Sequence, residues 1–461
     1  MKKLRQSAIK YLPFATIAVA AILICSLIFG WLNVFSPGVQ GYGYFSAPKS
    51  FVNLLIRHSA YNSWCYPPYD GGQAYSIYLA HPAFSVFVAS WFSYFSPWTS
   101  YWLFALFSLG LMLYCGRLIA GTTDDPLKKQ LSYFILICSI PVYVILYSGN
   151  IHAVFVLGIT LVFIGVYDLT YSLDLRRANT ELLTGLLISL LTKPVALLML
   201  PLLILTKETR VTSLKAFGIY AAVSALFIVV PFLNPEGIGL ARLAHVAFDF
   251  NFIRQNMNIF QNNLVITEYM KDNSFHWLNL IAQSDYRLMG SNIFSFPAFL
   301  DTLVGRRLPN IIYQIPLLAG LGFSVIIPFV REKQKRMEAC LFLLFALSVL
   351  YLICYNTVWE HQFASLLPVV ALLPVLSDRG VFYKRYIPAM FSLGAVVSLP
   401  TLIFLFGQSD LNNTAALTLI RLDKIVPVYL LFWAMIFQII PVAKAVFSRS
   451  GASRSVTEIA A

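Results

Sequence analysis

Lys193 is the residue of this sequence whose surroundings most demand a chemical explanation. It lies in the apolar run LLTKPVALLML, where an ammonium group costs about 2.5–3.5 kcal/mol to insert unless something offsets that cost. A phosphate of a lipid-linked ligand would offset it, as would an ion pair with Glu360 or Asp249, or snorkelling of the side chain to the surface. Lys193 is therefore the first candidate for binding an anion.

Two acidic positions could carry acid–base chemistry. Asp70, in SWCYPPYDGG, is the only carboxylate between residues 35 and 100. It could act as a general base on a sugar hydroxyl or bind a divalent metal; a solvated Asp-Gly turn is the alternative. Glu360 and His361 are adjacent in NTVWEHQ. An acid beside an imidazole could hold a diphosphate, a metal or a sugar hydroxyl, or could lie in a solvated loop.

Polar residues in two further places suit the recognition of a carbohydrate or a phosphate. Asn150 and His152 lie in the short SGNIH turn between two apolar runs. Asp249 and Arg254 lie in the amide-rich stretch FDFNFIRQNMNIFQNN. A solvated loop is the simpler explanation of that stretch, so these four residues are candidates for binding substrate or, for Arg254, the phosphate.

The composition shows which elements must position these residues. The chain has 461 residues, of which 59% are hydrophobic and 11% charged, whereas soluble domains have about 45–50% and about 25%. A soluble enzyme, a disordered protein and a nucleic-acid binder are thereby excluded. We predict an all-α integral membrane protein, a single polytopic domain over 1–461 with about 12 transmembrane helices. The predicted segments are 12–34, 101–120, 132–148, 151–167, 182–193, 195–206, 214–232, 311–330, 338–355, 362–377, 387–406 and 425–443.

The distribution of charge predicts the orientation. One set of segments holds 22 Lys and Arg residues against 10 acidic ones, and the rest of the chain holds 11 against 10. That set comprises the N-terminus, 117–131, 168–181, 207–215, 331–338, 378–386 and 444–461. Short basic loops remain in the cytoplasm. We therefore expect both termini to be cytoplasmic and the chemistry to be extracytoplasmic, in a bacterial inner membrane.

The segment 182–206 is predicted to be a hairpin. As one helix it would place Lys193 at its middle and put Lys207 and Arg210 outside, whereas a hairpin broken at Pro194 keeps both flanks inside. Each arm of about 12 residues would rise roughly 18 Å, which is less than the hydrocarbon core of about 30 Å. Lys193 would then lie below the outer surface and face a polar cavity or a partner.

Two large outer loops follow from this arrangement. The first, 35–100, contains a second apolar stretch, 81–96, between His81-Pro82 and Pro97. We predict that this stretch is a lateral helix along the outer face. The second loop, 233–310, is polar and rich in amides.

Four motifs in this order make the chain similar to the polytopic C-type glycosyltransferases, and within them to the polyprenol-phosphate mannosyltransferase-like branch. The first is a Tyr-Pro-Pro loop with a lateral helix and an aromatic span, YPPYDGGQAYSIYLAHPAFSVFVASWFSYFSPWTSYWLF. The second is the turn and helix SGNIHAVFVLGITLVF. The third is the Lys-Pro hairpin TGLLISLLTKPVALLMLPLLILTKETR. The fourth is the late turn NTVWEHQFASLLPVVALL.

The resemblance implies a transferase that takes a sugar from a polyprenyl-phosphate donor, not a nucleotide sugar, and passes it to a lipid or glycan acceptor of the cell envelope. Lys193 and His361 would then bind the donor phosphate. A catalytic carboxylate normally follows the first span closely in such proteins, but NVFSPGVQGYGYFSAPKSF contains no acid. Asp70 would take that role, or else Asp249 or Glu360. Membrane lipids are the remaining partners and nucleic acid is not one.

Cofactor needs and two alternative functions stay open at this stage. Some related transferases use a divalent metal, and this sequence shows no ligand cluster that demands one. A transporter or flippase of a lipid-linked sugar would also explain the many spans and Lys193. An outer-face polysaccharide polymerase with a diphosphate-linked donor would use loop arginines such as Arg242, Arg254 and Arg287.

Overall fold

The chain is an all-α integral membrane protein. A computed structural model describes residues 2–29, 97–148, 151–172, 174–229, 296–306, 308–354, 358, 360–379, 384–399 and 422–455. Within these ranges the regular elements are helices, mostly α with short 3-10 segments. The fold class predicted from composition is therefore confirmed. The lateral helix at 81–96 and most of the two outer loops lie outside the described residues.

The described residues of the N-terminal part form eight α-helices and one 3-10 helix. In order these are α1 (Lys2–Phe29), α2 (Pro97–Ala120), α3 (Pro126–Ile137), α4 (Ile140–Ser148), α5 (His152–Tyr171), α6 (Leu175–Thr192), the 3-10 helix Pro194–Met199, α7 (Leu200–Leu205) and α8 (Arg210–Val229).

Where the structure describes the C-terminal part, it forms six α-helices and three 3-10 segments. These are α9 (Phe296–Val304), α10 (Asn310–Ile326) with the 3-10 turn Ile327–Phe329, α11 (Lys333–Cys354), the 3-10 helix Glu360–Leu366 with α12 (Leu367–Leu376), the 3-10 turn Lys384–Tyr386 with α13 (Ile387–Ser398), and α14 (Ile425–Ser455). Helix α9 lies inside the predicted loop 233–310, for which no helix was predicted.

Each of the twelve predicted segments contains helix, but their lengths differ. In the described part of the chain, six helices are long and apolar enough to cross a membrane, and the bent pair α3–α4 raises that number to seven. The predicted span 132–148 is bent, because α3 and α4 meet at 46°. Pro141, which cannot donate a backbone hydrogen bond to the preceding turn, accounts for the break.

Helix α11 is the centre of the bundle. Its whole apolar window is buried inside the protein, whereas only 6% of the corresponding window of α1 is buried. A helix that is apolar on all sides belongs in a core or a membrane, and α11 is enclosed by α5, α10 and α14. Helix α1 is peripheral and packs through Leu23 on the Ile140, Tyr143 and Val144 cluster of α4.

Helices α5 and α6 approach each other very closely, and three glycines make this approach feasible. A Cβ atom at Gly185 would lie 2.6 Å from the backbone nitrogen of Val162 and 2.7 Å from the carbonyl oxygen of Gly158. One at Gly165 would lie 2.7 Å from the backbone nitrogen of Leu182. Small residues let helix backbones touch where the bilayer supplies no hydrophobic driving force between helices.

The segments predicted to be cytoplasmic are joined to one another by polar contacts at one end of the bundle. The contacts join Arg5 with Asp125, Lys128 with Asp378, Arg336 with Glu208, Thr212 with Asn179, Tyr171 with Glu338, and Arg379 with the carbonyl oxygen of Thr122 and the ring of Tyr171. These contacts link the N-terminus, 117–131, 168–181, 207–215, 331–338 and 378–386. The described parts of these six segments therefore lie at one end of the bundle, and the side of the membrane on which this end lies stays a prediction.

Candidate functional site

Lys193 lies at the break of the predicted hairpin. It ends α6 with an extended backbone (φ −142°, ψ 109°), and Pro194 begins the 3-10 helix that follows. A proline disfavours helical geometry in the residue before it, which explains why the chain turns here. The hydrogen bond from the Thr212 hydroxyl to the side-chain oxygen of Asn179 (2.6 Å) brings the two flanks of the hairpin together.

The two arms of the hairpin are unequal, so the prediction of about 12 residues in each is wrong for the first. Helix α6 has 18 residues because Asp174 caps it by accepting a hydrogen bond from the backbone nitrogen of Arg177 (3.0 Å). The second arm has six residues of 3-10 helix and six of α-helix. It rises about 21 Å, which is less than a hydrocarbon core of about 30 Å, so this arm alone is too short to cross such a core.

Two aromatic rings form a corner around the Lys193 ammonium. The nitrogen lies 5.6 Å from the centroid of the Tyr351 ring and 6.0 Å from that of Phe155. These rings meet edge to face at 82°, with centroids 6.4 Å apart. In the part of the chain that the structure describes, no carboxylate oxygen lies within 4.0 Å of this ammonium. The described surroundings of the cation are therefore aromatic.

The Tyr351 hydroxyl connects three elements at this corner. It donates to the backbone carbonyl oxygen of Gln362 (2.9 Å) and lies 2.8 Å from the Ser365 hydroxyl oxygen. It also lies 3.5 Å from Nε2 of His152. Tyr351 and His152 are both buried. The end of α11 is thereby bonded to the 3-10 helix Glu360–Leu366 and adjoins the start of α5.

The structure brings together three of the predicted site regions. Lys193, His152 and the 3-10 helix that begins with Glu360 and His361 adjoin the same two aromatic rings. Asn150 lies two residues before α5 begins at His152 but, like Asp70, Asp249 and Arg254, it lies outside the described residues. The backbone of Glu360 and His361 is described, and it forms the first turn of the 3-10 helix.

Sequence reasoning missed Phe155, Tyr351, Gln362 and Ser365. A chain with 15% aromatic residues gives no reason to select two of them. One signal was available for Tyr351, because a tyrosine inside an apolar helix needs a partner for its hydroxyl. That signal identifies the residue but not the segment to which it bonds.

This candidate site and the network of ion pairs lie at opposite ends of the bundle. Helix α5 starts at His152 beside the site and ends at Tyr171, whose hydroxyl donates to Glu338 (3.2 Å). Its 20 residues rise about 30 Å, roughly one hydrocarbon thickness. Among the described residues no group of three His, Cys, Asp or Glu side chains could hold a metal ion.

Comparison with known proteins gave one finding. The model of glycosyltransferase family 87 matches residues 78–355, which is more than half of the chain. The match includes α5, the Lys193 hairpin and Tyr351, and it ends before Glu360. No curated protein and no solved structure matches the chain.

Proposed function

Because the chain belongs to glycosyltransferase family 87 and is a membrane glycosyltransferase, we propose that it takes its sugar from a polyprenyl-phosphate donor. The sugar passes to a lipid or glycan acceptor of the cell envelope. The polyprenol-phosphate mannosyltransferase-like character belongs to this proposal, as does the location in a bacterial inner membrane. Family membership favours a transferase over the transporter or flippase considered from the sequence.

The observation that carries the proposal is the position of the Lys193 ammonium. It faces two aromatic rings, and at the break of a hairpin with a short second arm it would lie where a lipid-linked donor presents its phosphate. At the other end of the bundle, by contrast, the Arg336 guanidinium is paired with Glu208. A cation without a nearby described carboxylate is suited to receive an anionic ligand, because the ligand then supplies the missing charge.

The chemistry of sugar transfer gives this cation a role. An acceptor hydroxyl oxygen forms a bond to the anomeric carbon, and the bond between that carbon and the phosphate oxygen breaks. The phosphate leaves with the electron pair, and the hydroxyl proton passes to a base. Lys193, with His361 and Arg254 as further phosphate ligands, would stabilise the negative charge that develops on the leaving phosphate.

A carboxylate would receive the proton in this scheme. Asp70 is our first choice for the base, and Glu360 is the second because its helix is bonded to Tyr351 next to Lys193. Asn150, His152 and Asp249 would bind the sugar or the acceptor. No step in this scheme requires a metal, although a divalent metal at the donor phosphate or the sugar hydroxyls would be compatible with it.

The same proposal assigns the two faces. The end with the ion pairs carries the basic segments and would be cytoplasmic by the positive-inside rule. The end with Lys193 and His152 would then be extracytoplasmic, as would 35–100 and 233–310. Cysteine labelling of intact cells tests this assignment, and labelling of positions 250–290 only from the cytoplasmic side would contradict it.

Lys193→Met is the central experiment. This change removes the charge and keeps an unbranched apolar chain, so we expect loss of transfer from polyprenyl-phosphate sugar with the protein still folded and inserted. Lys193→Arg should retain part of the donor binding, since the charge survives. Lys335→Met is the matched control, because Lys335 is exposed at the opposite end and pairs only with the exposed Glu332 (2.7 Å) in the described residues.

The outcome separates three donors. Transfer from polyprenyl-phosphate sugar that is lost in Lys193→Met but retained in Lys335→Met supports the proposal. Transfer from a diphosphate-linked donor alone would favour the polymerase. Transfer from a nucleotide sugar, or a Lys193→Met protein as active as Lys335→Met, would refute the proposed donor site.

A further inference from the structure

We propose that Tyr351 and Phe155 are positioning residues of the transferase, with separate tasks for the Tyr351 hydroxyl and for the two rings. This inference rests on the proposed role of Lys193 in binding donor phosphate. The rings would hold the Lys193 ammonium in one place. The hydroxyl would hold the 3-10 helix Glu360–Leu366 beside it.

The task of the rings follows from the geometry of the corner. A lysine side chain has four rotatable bonds, and binding an anion requires the ammonium to be held in one position. The faces of Phe155 and Tyr351 attract the cation from two directions, at 6.0 and 5.6 Å. Both rings are buried in the tightly packed interface between α5 and α11. The ammonium is therefore held by rigid neighbours that do not neutralise it.

The task of the hydroxyl follows from its hydrogen bonds. The Gln362 carbonyl oxygen accepts from Tyr351 (2.9 Å) and from the Ser365 hydroxyl (2.9 Å). A 3-10 helix has poorer internal hydrogen-bond geometry than an α-helix, so this outside donor fixes its position. Glu360 and His361 begin that helix. Loss of the Tyr351 hydroxyl would loosen the segment that carries them while leaving the ring beside Lys193.

The two tasks predict effects on different kinetic constants. Phe155→Leu removes one ring, so the KM for polyprenyl-phosphate sugar should rise about 3- to 30-fold with kcat nearly unchanged. Tyr351→Phe keeps the ring, so kcat should fall about 3- to 10-fold with the donor KM nearly unchanged. Phe155→Tyr should restore the donor KM because it restores the ring.

The matched control is a second aromatic pair between the same two helices. Phe163 and Phe345 meet edge to face at 79° with centroids 4.8 Å apart, two turns farther from the site. Phe163→Leu should lower the thermal stability by as much as Phe155→Leu while leaving both KM and kcat as in the wild-type protein. A purely structural role of the aromatic corner would make the two leucine variants kinetically alike.

The possible results distinguish this inference from the proposed function. An unchanged donor KM in Lys193→Met refutes the phosphate site and with it the inference. If Lys193→Met abolishes transfer or raises the donor KM, but Phe155→Leu and Tyr351→Phe behave like Phe163→Leu, the phosphate site stands and the positioning role is refuted. Separate KM and kcat effects, with rescue by Phe155→Tyr, support both.

Discussion

Gly185→Ala should destabilise the protein strongly, although it adds only one methyl group. The new Cβ would lie 2.6 Å from the backbone nitrogen of Val162 and 2.7 Å from the carbonyl oxygen of Gly158. These are backbone atoms, so the overlap is relieved only if α5 and α6 move apart. Overpacking of this kind costs about 1–3 kcal/mol, and that cost exceeds the gain in helix propensity of about 1 kcal/mol from glycine to alanine.

The chain contains a matched control for this substitution. Gly218 lies in α8, and a Cβ there would meet no other atom within 4 Å. Gly218→Ala should therefore leave stability unchanged or raise it by up to about 1 kcal/mol. The two variants should differ by about 1–3 kcal/mol in the free energy of unfolding, because the gain in helix propensity is common to both and the overpacking cost occurs only at Gly185.

The assay is unfolding of the purified protein in mild detergent by titration with a denaturing detergent, followed by circular dichroism. The donor KM of the folded Gly185→Ala fraction should also rise, because α5 carries Phe155 and α6 ends at Lys193. Equal stability of Gly185→Ala and Gly218→Ala would refute the close approach of α5 and α6. Lower stability with an unchanged KM would instead show that the approach does not position Lys193.

The remaining predictions concern two ion sites away from the candidate site. Burial alone raises the pKa of the Glu208 carboxyl, but the hydrogen bond and charge of Arg336 outweigh it and lower the pKa below 4.5. Because the pKa of the Glu208 carboxyl is lower in the folded than in the unfolded protein, this group stabilises the fold above its unfolded pKa, and the stabilisation is lost as the pH falls. Glu208→Gln should therefore make the melting temperature fall less steeply between about pH 6 and about pH 3. Lys424 is buried and donates to the carbonyl oxygens of Val397 and Leu399, so Lys424→Met should cost about 1–3 kcal/mol in detergent unfolding. An unchanged pH dependence of the melting temperature in Glu208→Gln would contradict the role of Glu208, and an unchanged unfolding curve of Lys424→Met would contradict that of Lys424.

Features that depend on local chemistry could be predicted from the sequence. Pro194 fixes the hairpin break because a proline disfavours helix in the residue before it. The distribution of Lys and Arg predicted one group of basic segments, and the described parts of six of them contact one another at one end of the bundle, since charges avoid the bilayer wherever they occur. Pro141 likewise indicates the bend between α3 and α4, but the bend was not predicted because the surrounding residues form one continuous apolar run.

Features that depend on tertiary contact could not be predicted in this way. Lys193, Phe155 and Tyr351 are far apart in sequence, and only the packing of three helices brings them together. Lys193 was found because an ammonium in an apolar run is costly wherever it folds. Tyr351 was not found because its importance lies in which segment accepts its hydrogen bond, and no property of one residue specifies that.

The energetics of Lys193 connect the fold to the proposed chemistry. Two ring contacts near 6 Å lie at the weak end of the cation–π range and together contribute about 1–2 kcal/mol. Placing an ammonium at the centre of a membrane helix costs about 2.5–3.5 kcal/mol, so the rings would offset only part of that cost. A carboxylate at contact distance would offset the rest, as Glu208 does for Arg336, but would also compete with a phosphate for the ammonium. A site that holds its cation by aromatic faces keeps that charge available to an anionic donor.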